Sequence, residues 1–406
     1  MINTRIKNKS AQLIVLTVIT FMLIMGTGCW DRLEIDDRAL VLGVGIDKPE
    51  HQKKESGSET KEIPKGGLPK YSMSLCIPVF TNSSDSGGGE EEGGGGQQPD
   101  RWILTSTGNT IQEIVRIYAN RSSRMIVVGH MKVLVIGEQV AREGIADILD
   151  YFTRDVDAHG RIMVVIANGK AKEILDITPY EEDYSPDYIE KLLQEGKGGA
   201  SKIEGDMVSL LKSLTSSGNA VLPRVRAGSK SDAVVGGSAL IKDYKMVGWL
   251  GEWETSGVNT IRDKVEGGSL SIVAPGTKEE LMSIRLNNVK VKRDVTIKAG
   301  QPIFKIRIFS EGEVVEKPQS VGVLSSELLK EIERRVILEM QHRSIATVTK
   351  LQREFKADVL EFGDLLSKKH PQYWAQVEKD WDEKYFPKAE VLVESDAKIR
   401  RVDVTR

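Results

Sequence analysis

Cys29 is the residue whose surroundings most clearly predict chemistry. The chain opens with three basic residues and no acidic one, continues with an apolar run at 13–25, and places the small residues 26–28 directly before this cysteine. Basic, apolar and small segments in that order are typical of a secretory signal. Processing of a bacterial lipoprotein needs a thiol at the first mature residue, because that sulfur accepts the lipid. The pattern therefore predicts a lipoprotein signal peptide at 1–28 and acylation of Cys29.

The apolar run of this signal is too short to span a bilayer core, which needs roughly 20 apolar residues. Acyl chains such as palmitate on Cys29 would instead hold the mature domains at a membrane, since each buried methylene contributes about 0.8 kcal/mol. Gly26 stands where lipoprotein signals most often have leucine. On the residues alone two alternatives stay open, namely an uncleaved signal anchor and a buried structural cysteine.

The other side chains that could carry chemistry form no recognisable active or metal site. Cys76 falls inside a predicted strand, which favours a buried, inert thiol over a nucleophile. The acidic run 181–183 is interpreted as a solvated loop, and Gly43 with Gly45 makes only part of a dinucleotide-binding fingerprint. No two histidines have the spacing of metal ligands; they are His51, His130, His159, His342 and His370. We therefore expect no catalytic residue, no cofactor and no metal.

Length and charge exclude other classes of protein. Removal of the signal leaves enough chain for two or three domains. The whole chain has a formal charge of −2, and the signal carries three positive and no negative residues, so the mature part is at −5. That balance argues against a nucleic-acid partner. With Cys29 acylated, Cys76 has no cysteine left to pair with, so stability must come from packed cores.

Strands and helices alternate along the chain and predict a fold of mixed α/β and α+β type, in three consecutive sheet-plus-helix domains. The first is an α/β domain at 29–217, interrupted at about 81–100 by a Gly- and Glu-rich insertion that is expected to be disordered. A small central α/β domain follows at 218–277. The last domain, at 278–406, is α+β, with long strands, then helices, then a terminal strand.

Local signals mark several element ends. Thr110 and Ser325 are predicted N-caps, the second for a long amphipathic helix. Single helices are predicted at 138–154 and at 372–384. Hydrophobic alternation in the segment 304–308 predicts a strand with one buried face.

Trp374 and Trp381 are seven residues apart, so a continuous helix would place both on one face. Packing in the core is one interpretation. The other is a docking surface for a partner, because aromatic side chains dominate the energetics of protein interfaces.

Four stretches give the sequence a family resemblance. The first begins with Cys29, Trp30 and Asp31 and ends with the strand residues 45–47; the second is 129–138 with Arg154. The third is 237–257. The fourth is a tail that consists of Gln341, Asp358, Phe362, Gly363, His370, Pro371, Trp374, Trp381 and Phe386. In this order and spacing they resemble the Ger(x)C spore germination lipoproteins, from Cys29 almost to the C-terminus.

The resemblance implies the C subunit of a nutrient germinant receptor in an endospore-forming bacterium. Such a subunit is lipid-anchored on the outer face of the spore inner membrane, beside a membrane A subunit and a transporter-like B subunit. It implies three mixed α/β domains and no catalytic activity. Only Cys29 carries over as a residue with a defined chemical role.

Three functions are therefore compared. The leading hypothesis is a lipid-anchored receptor subunit that acts as an interaction protein. The second is a solute-binding lipoprotein that delivers a small molecule to a transporter, which predicts a cleft between two similar lobes. The third is a surface-anchored hydrolase, for which the sequence offers no nucleophile and base.

Overall fold

Two β-sheets organise the part of the chain that the computed structural model describes. The described residues are 37–50, 68–79, 101–154, 160–195, 203–265 and 267–400. Cys29, the signal peptide and the polar insertion at 81–100 lie outside the described residues, so what the sequence predicts for them stays a prediction.

The first sheet has helices on both faces. Its elements are β1 (Arg38–Leu40), β2 (Gly43–Asp47), β3 (Tyr71–Pro78), β4 (Arg101–Gly108), α1 (Ile111–Ala119), β5 (Met125–Val127), β6 (Val133–Gly137), α2 (Glu138–Glu143), α3 (Ala146–Arg154), β7 (Met163–Ala167), α4 (Ala171–Leu175), α5 (Ser185–Glu195), α6 (Met207–Ser217), β8 (Asn219–Ala227), β9 (Ala233–Lys242) and β10 (Lys245–Leu250).

Eight of these strands are hydrogen-bonded in the order β10-β9-β8-β7-β6-β2-β3-β4. Strands β2, β6, β7 and β8 are parallel, and the strands outside them pair antiparallel. Strands β1 and β5 form a separate parallel pair at the N-terminal end of β2, with Arg38 opposite Met125.

Strand β6 explains why both faces of this sheet are covered. All its residues are apolar or glycine, and each is buried. Val133 and Val135 pack into the core that contains α4 and α5, whereas Leu134 and Ile136 pack into the core that contains α1, α3 and α6. Parallel strands buried on both faces need this continuous apolar sequence.

The second sheet belongs to the C-terminal part of the chain. Its elements and the helices around it are α7 (Glu252–Ile261), β11 (Gly268–Val273), β12 (Leu281–Lys298), β13 (Gln301–Glu316), α8 (Ser326–Lys350), α9 (Phe362–Lys369), α10 (Pro371–Val377) and β14 (Glu390–Arg400). The strand order is β11-β12-β13-β14, and β14 runs parallel to β13.

The long hairpin β12–β13 presents one apolar face to the helices. Phe304, Ile306 and Ile308 of β13 are buried, as the alternation in the sequence predicts. Helix α8 contributes Ile332 and Val336 to the same core. The opposite face of this sheet carries mostly charged side chains.

Both predicted N-caps are confirmed. The Thr110 hydroxyl accepts a hydrogen bond from the backbone N–H of Glu113 at 3.1 Å, and the Ser325 hydroxyl accepts one from Leu328 at 3.2 Å. The mixed α/β fold class is confirmed as well.

Two helix predictions are wrong in their extent. The segment 138–154 is two helices, because Gly144 breaks the backbone with φ of 141° and Ile145 donates its N–H to Tyr244 instead. The segment 372–384 is α-helical only to Val377; a 3₁₀ turn at Glu378–Asp380 and a π-helical turn at Trp381–Tyr385 follow. That break turns the Trp381 indole inward, where it reaches a buried hydrogen-bond acceptor.

The sheets run across the domain boundaries that the sequence predicts. Strands β8, β9 and β10 lie after residue 217, yet they hydrogen-bond into the sheet that β2 begins. Strand β11 joins the second sheet, so the described part of the segment 218–277 has no sheet of its own. The division into three domains stays a prediction.

Within the described residues, no helix combines the length and the apolar composition required to cross a bilayer.

Asp47 joins the end of β2 to the start of α4, and its replacement provides a test of the fold. Its carboxylate accepts hydrogen bonds from the backbone N–H groups of Ala171 and Lys172 at 2.7 and 2.8 Å. Burial raises the pKa of Asp47, and these two bonds lower it. We expect Asp47→Ala to lower the free energy of unfolding by about 1–3 kcal/mol, because two buried N–H groups lose their acceptor. Urea denaturation followed by circular dichroism measures this loss.

The matched control is Asp37→Ala, which removes an exposed carboxylate near the same strand. It should change the unfolding free energy by less than about 0.5 kcal/mol. Equal losses in the two variants would contradict the capping role of Asp47.

Candidate interaction cleft

Three tail residues of the family resemblance, Phe362, Gly363 and Trp381, donate hydrogen bonds to a fourth, Asp358. Asp358 is buried, and its oxygens accept hydrogen bonds from the backbone N–H groups of Leu360, Phe362 and Gly363 at 3.0, 3.2 and 2.7 Å. The indole N–H of Trp381 donates a fourth bond at 2.9 Å. Burial raises the pKa of Asp358 to about 6, although the hydrogen bonds oppose that rise. All four partners are donors, so the ionised carboxylate matches them.

Aromatic rings surround this carboxylate on its core side. Phe304 of β13 stacks on Phe362 of α9, with ring centroids 4.4 Å apart and planes 11° from parallel. Trp381 lies edge-on to Phe304 at 6.1 Å and close to Phe386 at 6.1 Å. Such pairs contribute about 0.5–1.5 kcal/mol beyond the area they bury. The cluster therefore fixes the start of α9 against the second sheet.

Gly363 is required by this packing. A Cβ atom at that position would lie 2.7 Å from the Trp374 ring and 3.3 Å from the Trp381 indole nitrogen. The two tryptophan rings lie 5.5 Å apart and nearly edge-to-face. Only glycine lets α9 approach both rings this closely.

The structure brings Trp374 and Trp381 together, though not on one helix. Trp381 is only 5% exposed and belongs to the core, which is the first of the two interpretations of this pair. Trp374 is half-buried and covers Trp381 from the outside. A docking surface would therefore use Trp374 and the groove beside it, whereas Trp381 supports that surface from within.

That groove is a cleft of about 580 Å³ between two units, namely the first sheet with its helices and the second sheet with its helices. One wall is formed by α6 and the start of β8, and the other by the tail with Trp374 and Trp381. Polar contacts cross it at its base. The Asn219 side-chain amide donates to Asp382 at 2.5 Å, and the Ser216 hydroxyl donates to Asp364 at 3.0 Å.

Asp382 connects the cleft to the buried carboxylate. One of its oxygens accepts the backbone N–H of Asp358 at 3.1 Å, and the other accepts from Asn219. Burial raises the pKa of Asp382, while the hydrogen bond from Asn219 lowers it. At the rim, Lys242 forms a salt bridge with Glu383 at 2.6 Å. The lining carries both signs of charge, as a polar contact surface between two units does.

The residues considered for chemistry in the sequence are placed apart from one another. Cys76 is fully buried, and burial raises the pKa of its thiol to about 11, which keeps it protonated and unreactive. His370 contacts the backbone oxygen of Val295. Glu182 of the acidic run pairs with Lys191. In the described part of the chain, no group of three or more His, Cys, Asp or Glu side chains is arranged to hold a metal ion.

Gly43 and Gly45 allow β2 to pack closely against α4 and α5. A Cβ on Gly43 would lie 2.6 Å from the Pro186 ring, and one on Gly45 would lie 3.0 Å from Leu175. Both glycines lie within β2 and hydrogen-bond to β3 and β6, so they do not form a phosphate-binding turn.

Two residues of the cleft carried no signal that the sequence could reveal. Asn219 and Asp382 are 163 residues apart in sequence, and each is an ordinary polar residue by itself. The only local hint was that Asp382 follows a tryptophan of the resemblance directly.

The chain matches known protein families along most of its length. The family description "Spore germination protein N-terminal domain" matches residues 31–227, and "Spore germination B3/ GerAC like, C-terminal" matches residues 236–403. These are proteins of bacterial spore germination. The chain belongs among them to the Ger(x)C family, and a role in germination follows from that membership.

Curated relatives match along most of their length. Spore germination protein YndF of Bacillus subtilis (strain 168) is 29% identical, over 94% of this chain and 94% of its own. Spore germination protein KC of the same organism is 24% identical, over 92% of each chain. The crystal structure of the GerBC protein superposes with a TM-score of 0.56 at 18% identity, over 81% of this chain and 93% of that one, which shows a shared fold.

Replacing each tryptophan by alanine tests which of the two belongs to the core. We expect Trp381→Ala to lower the free energy of unfolding by about 3–5 kcal/mol, because it leaves a cavity under three aromatic rings and an unpaired Asp358 oxygen. Trp374→Ala should cost less, about 1–2 kcal/mol, because its ring is only half-buried. Urea denaturation measures both. A Trp381→Ala protein as stable as the wild type would refute its assignment to the core.

Replacement of the buried carboxylate tests the hydrogen-bond cluster. Asp358→Asn keeps the shape but turns an amide NH₂ toward two N–H donors. We expect a loss of about 2–3 kcal/mol in unfolding free energy at pH 7.5, where the wild-type group is ionised. The control is Asp380→Asn, an exposed neighbour that should have almost no effect. Similar stabilities of the two variants would mean that Asp358 does not organise the tail.

Proposed function

We propose that this chain is the lipid-anchored C subunit of a spore nutrient germinant receptor. In this role it is a non-catalytic interaction protein on the outer face of the spore inner membrane. Its partners are the membrane A and B subunits of the receptor. The observation that carries the proposal is the combination of a family match over nearly the whole chain with the signal-like segment that ends at Cys29.

The mechanism that we propose is positional. Acyl chains on Cys29 confine the folded units to the membrane surface and raise their effective concentration beside membrane partners. In this mechanism acylation of Cys29 is the only chemical step, and the folded units provide the surfaces that contact the partners.

A non-catalytic role agrees with the side chains that are described. Burial raises the pKa of the Cys76 thiol and keeps it protonated, and the Asp358 carboxylate accepts four hydrogen bonds, from three backbone N–H groups and one indole N–H. Neither group is left free to act on a substrate. As a partner surface we propose the rim of the cleft around Trp374, where a half-buried aromatic ring lies beside charged residues of both signs.

The cleft also favours a second candidate, a solute-binding lipoprotein that feeds a transporter. Its volume of about 580 Å³ would admit a small polar molecule. The two walls come from dissimilar units, however, whereas solute-binding proteins close two similar lobes on their ligand. Isothermal titration of the purified protein with amino acids and sugars separates the two candidates. Saturable heat that is lost in Asp382→Asn would favour the solute-binding function.

The anchor is tested by the mass of the N-terminus and by membrane partition. In a spore-forming host, we expect the mature protein to begin at an acylated Cys29 and to sediment with membranes. Cys29→Ala should abolish both the lipid mass and the membrane retention. Cys76→Ala is the matched control, since it removes the other thiol and should leave both unchanged.

Receptor membership is tested on the same samples. Membrane subunits should co-purify with the wild type and with Cys76→Ala, and should be depleted with Cys29→Ala. Absence of acylation in the wild-type protein would refute the anchor. An acylated protein that captures no membrane subunit would refute the receptor role alone.

A further inference from the structure

A basic surface lies beside the point where the N-terminal segment joins the folded body. From 114 to 137 the chain contains no Asp or Glu, although the protein as a whole is slightly acidic. Arg116 and Arg124 are exposed there, and neither guanidinium pairs with any residue that the structure describes. Arg121 is exposed as well and donates to the backbone oxygen of Thr105. We name Arg116, Arg121, Arg124 and Met125 the α1–β5 surface.

Strand pairing places this surface at the tether. Arg38 of β1 is the hydrogen-bonding neighbour of Met125 in β5. Eight residues separate Cys29 from Arg38, and an extended chain of that length reaches at most about 30 Å. A lipid on Cys29 therefore keeps β1, and with it β5, within that distance of the bilayer.

The α1–β5 surface also contains an exposed apolar side chain, that of Met125. The Met125 side chain is 57% exposed and directly follows Arg124. A basic group beside an exposed apolar side chain suits the boundary of headgroups and acyl chains, where each Lys or Arg contributes about 1 kcal/mol on an anionic membrane.

Acidic side chains also occur at this end of the first sheet, and they lie on its other face. Glu182 and Asp187 belong to the region of α5, which packs on the core opposite to that of α1. They are also paired, Glu182 with Lys191 and Asp187 with Lys132. Two described carboxylates lie nearer, Glu113 one turn before Arg116 in α1 and Asp37 beside Arg38. Arg38 and the three arginines of the α1–β5 surface outnumber them, so the surface keeps a net positive charge.

We propose that the α1–β5 surface rests on the anionic headgroup layer of the membrane. The inference depends on the lipid anchor proposed above and adds an orientation to it. Contact at this surface makes the anchored protein stand in one pose, with the N-terminal ends of the parallel strands facing the bilayer. The β8–β9 turn, at the opposite end of these strands, then points away from it.

Site-selective labelling of the acylated, full mature protein tests the pose. Ser123→Cys places an environment-sensitive fluorophore on the α1–β5 surface, and Ser229→Cys places one in the β8–β9 turn. Both positions are exposed, and Cys76 is fully buried, so labelling is specific once Cys29 is acylated. Vesicles contain phosphatidylcholine with or without phosphatidylglycerol, and a lipid with a headgroup quencher reports contact.

We expect strong quenching at Ser123→Cys and little at Ser229→Cys, only with phosphatidylglycerol present, and weaker at high salt. Arg116→Gln with Arg124→Gln should reduce the docked population by about tenfold or more. The matched control, Arg226→Gln with Arg353→Gln, removes the same charge from two other exposed arginines and should change nothing.

Each other result overturns the inference. Equal quenching at both labels, or quenching that ignores phosphatidylglycerol or the Arg116 and Arg124 changes, would mean that the protein has no fixed pose. Mass spectrometry separates this from failure of the anchor. Retention of an acylated protein without quenching at Ser123→Cys refutes the pose alone, whereas a protein without lipid refutes the anchor and the pose together.

Discussion

The buried carboxylate of Asp358 is the constraint on which the C-terminal unit depends. A charge removed from water must be compensated by well-placed donors, or it costs several kcal/mol. Here three backbone N–H groups and one indole N–H supply that compensation. Because those donors belong to the start of α9 and to Trp381, satisfying one side chain fixes two segments of the tail at once.

The same constraint extends to the neighbouring unit. The backbone N–H of Asp358 donates to Asp382, and Asp382 accepts from Asn219 of β8. The orientation of one unit on the other is therefore linked through polar groups to the packing inside the tail. This polar junction adds a specific geometry to an apolar contact, because Val221, Leu240 and Leu250 of the first sheet share a core with α7 and the second sheet.

Local patterns in the sequence predicted the features that are decided locally. Thr110 and Ser325 cap helices because a hydroxyl needs only a neighbouring turn to accept from, and β13 alternates because one of its faces is buried. The break at Gly144 and the end of α10 at Val377 could not be read in this way. At both places the chain beyond the break binds a partner distant in sequence, the backbone oxygen of Tyr244 in one case and the carboxylate of Asp358 in the other.

The candidate sites, too, fall into those that the local sequence marks and those that depend on distant contacts. Cys29 is marked by consecutive residues, so the sequence alone singles it out. Trp374 and Trp381 were recognised as a pair, but their separate roles, one inside the core and one over it, depend on a helix break that no spacing indicates. The acid-free stretch 114–137 is visible in the sequence, whereas its position at the tether depends on the pairing of β1 with β5.

The route of the first sheet has a consequence for how the chain is made. The N-terminal family segment ends at residue 227, at the end of β8, and the C-terminal segment begins at 236, inside β9. During synthesis, β8 therefore remains an open edge until β9 emerges to cover it. An open edge of nine mostly apolar residues invites pairing with other chains. The first sheet is thus completed only after the beginning of the C-terminal family segment has been made, and until then β8 is exposed to such pairing.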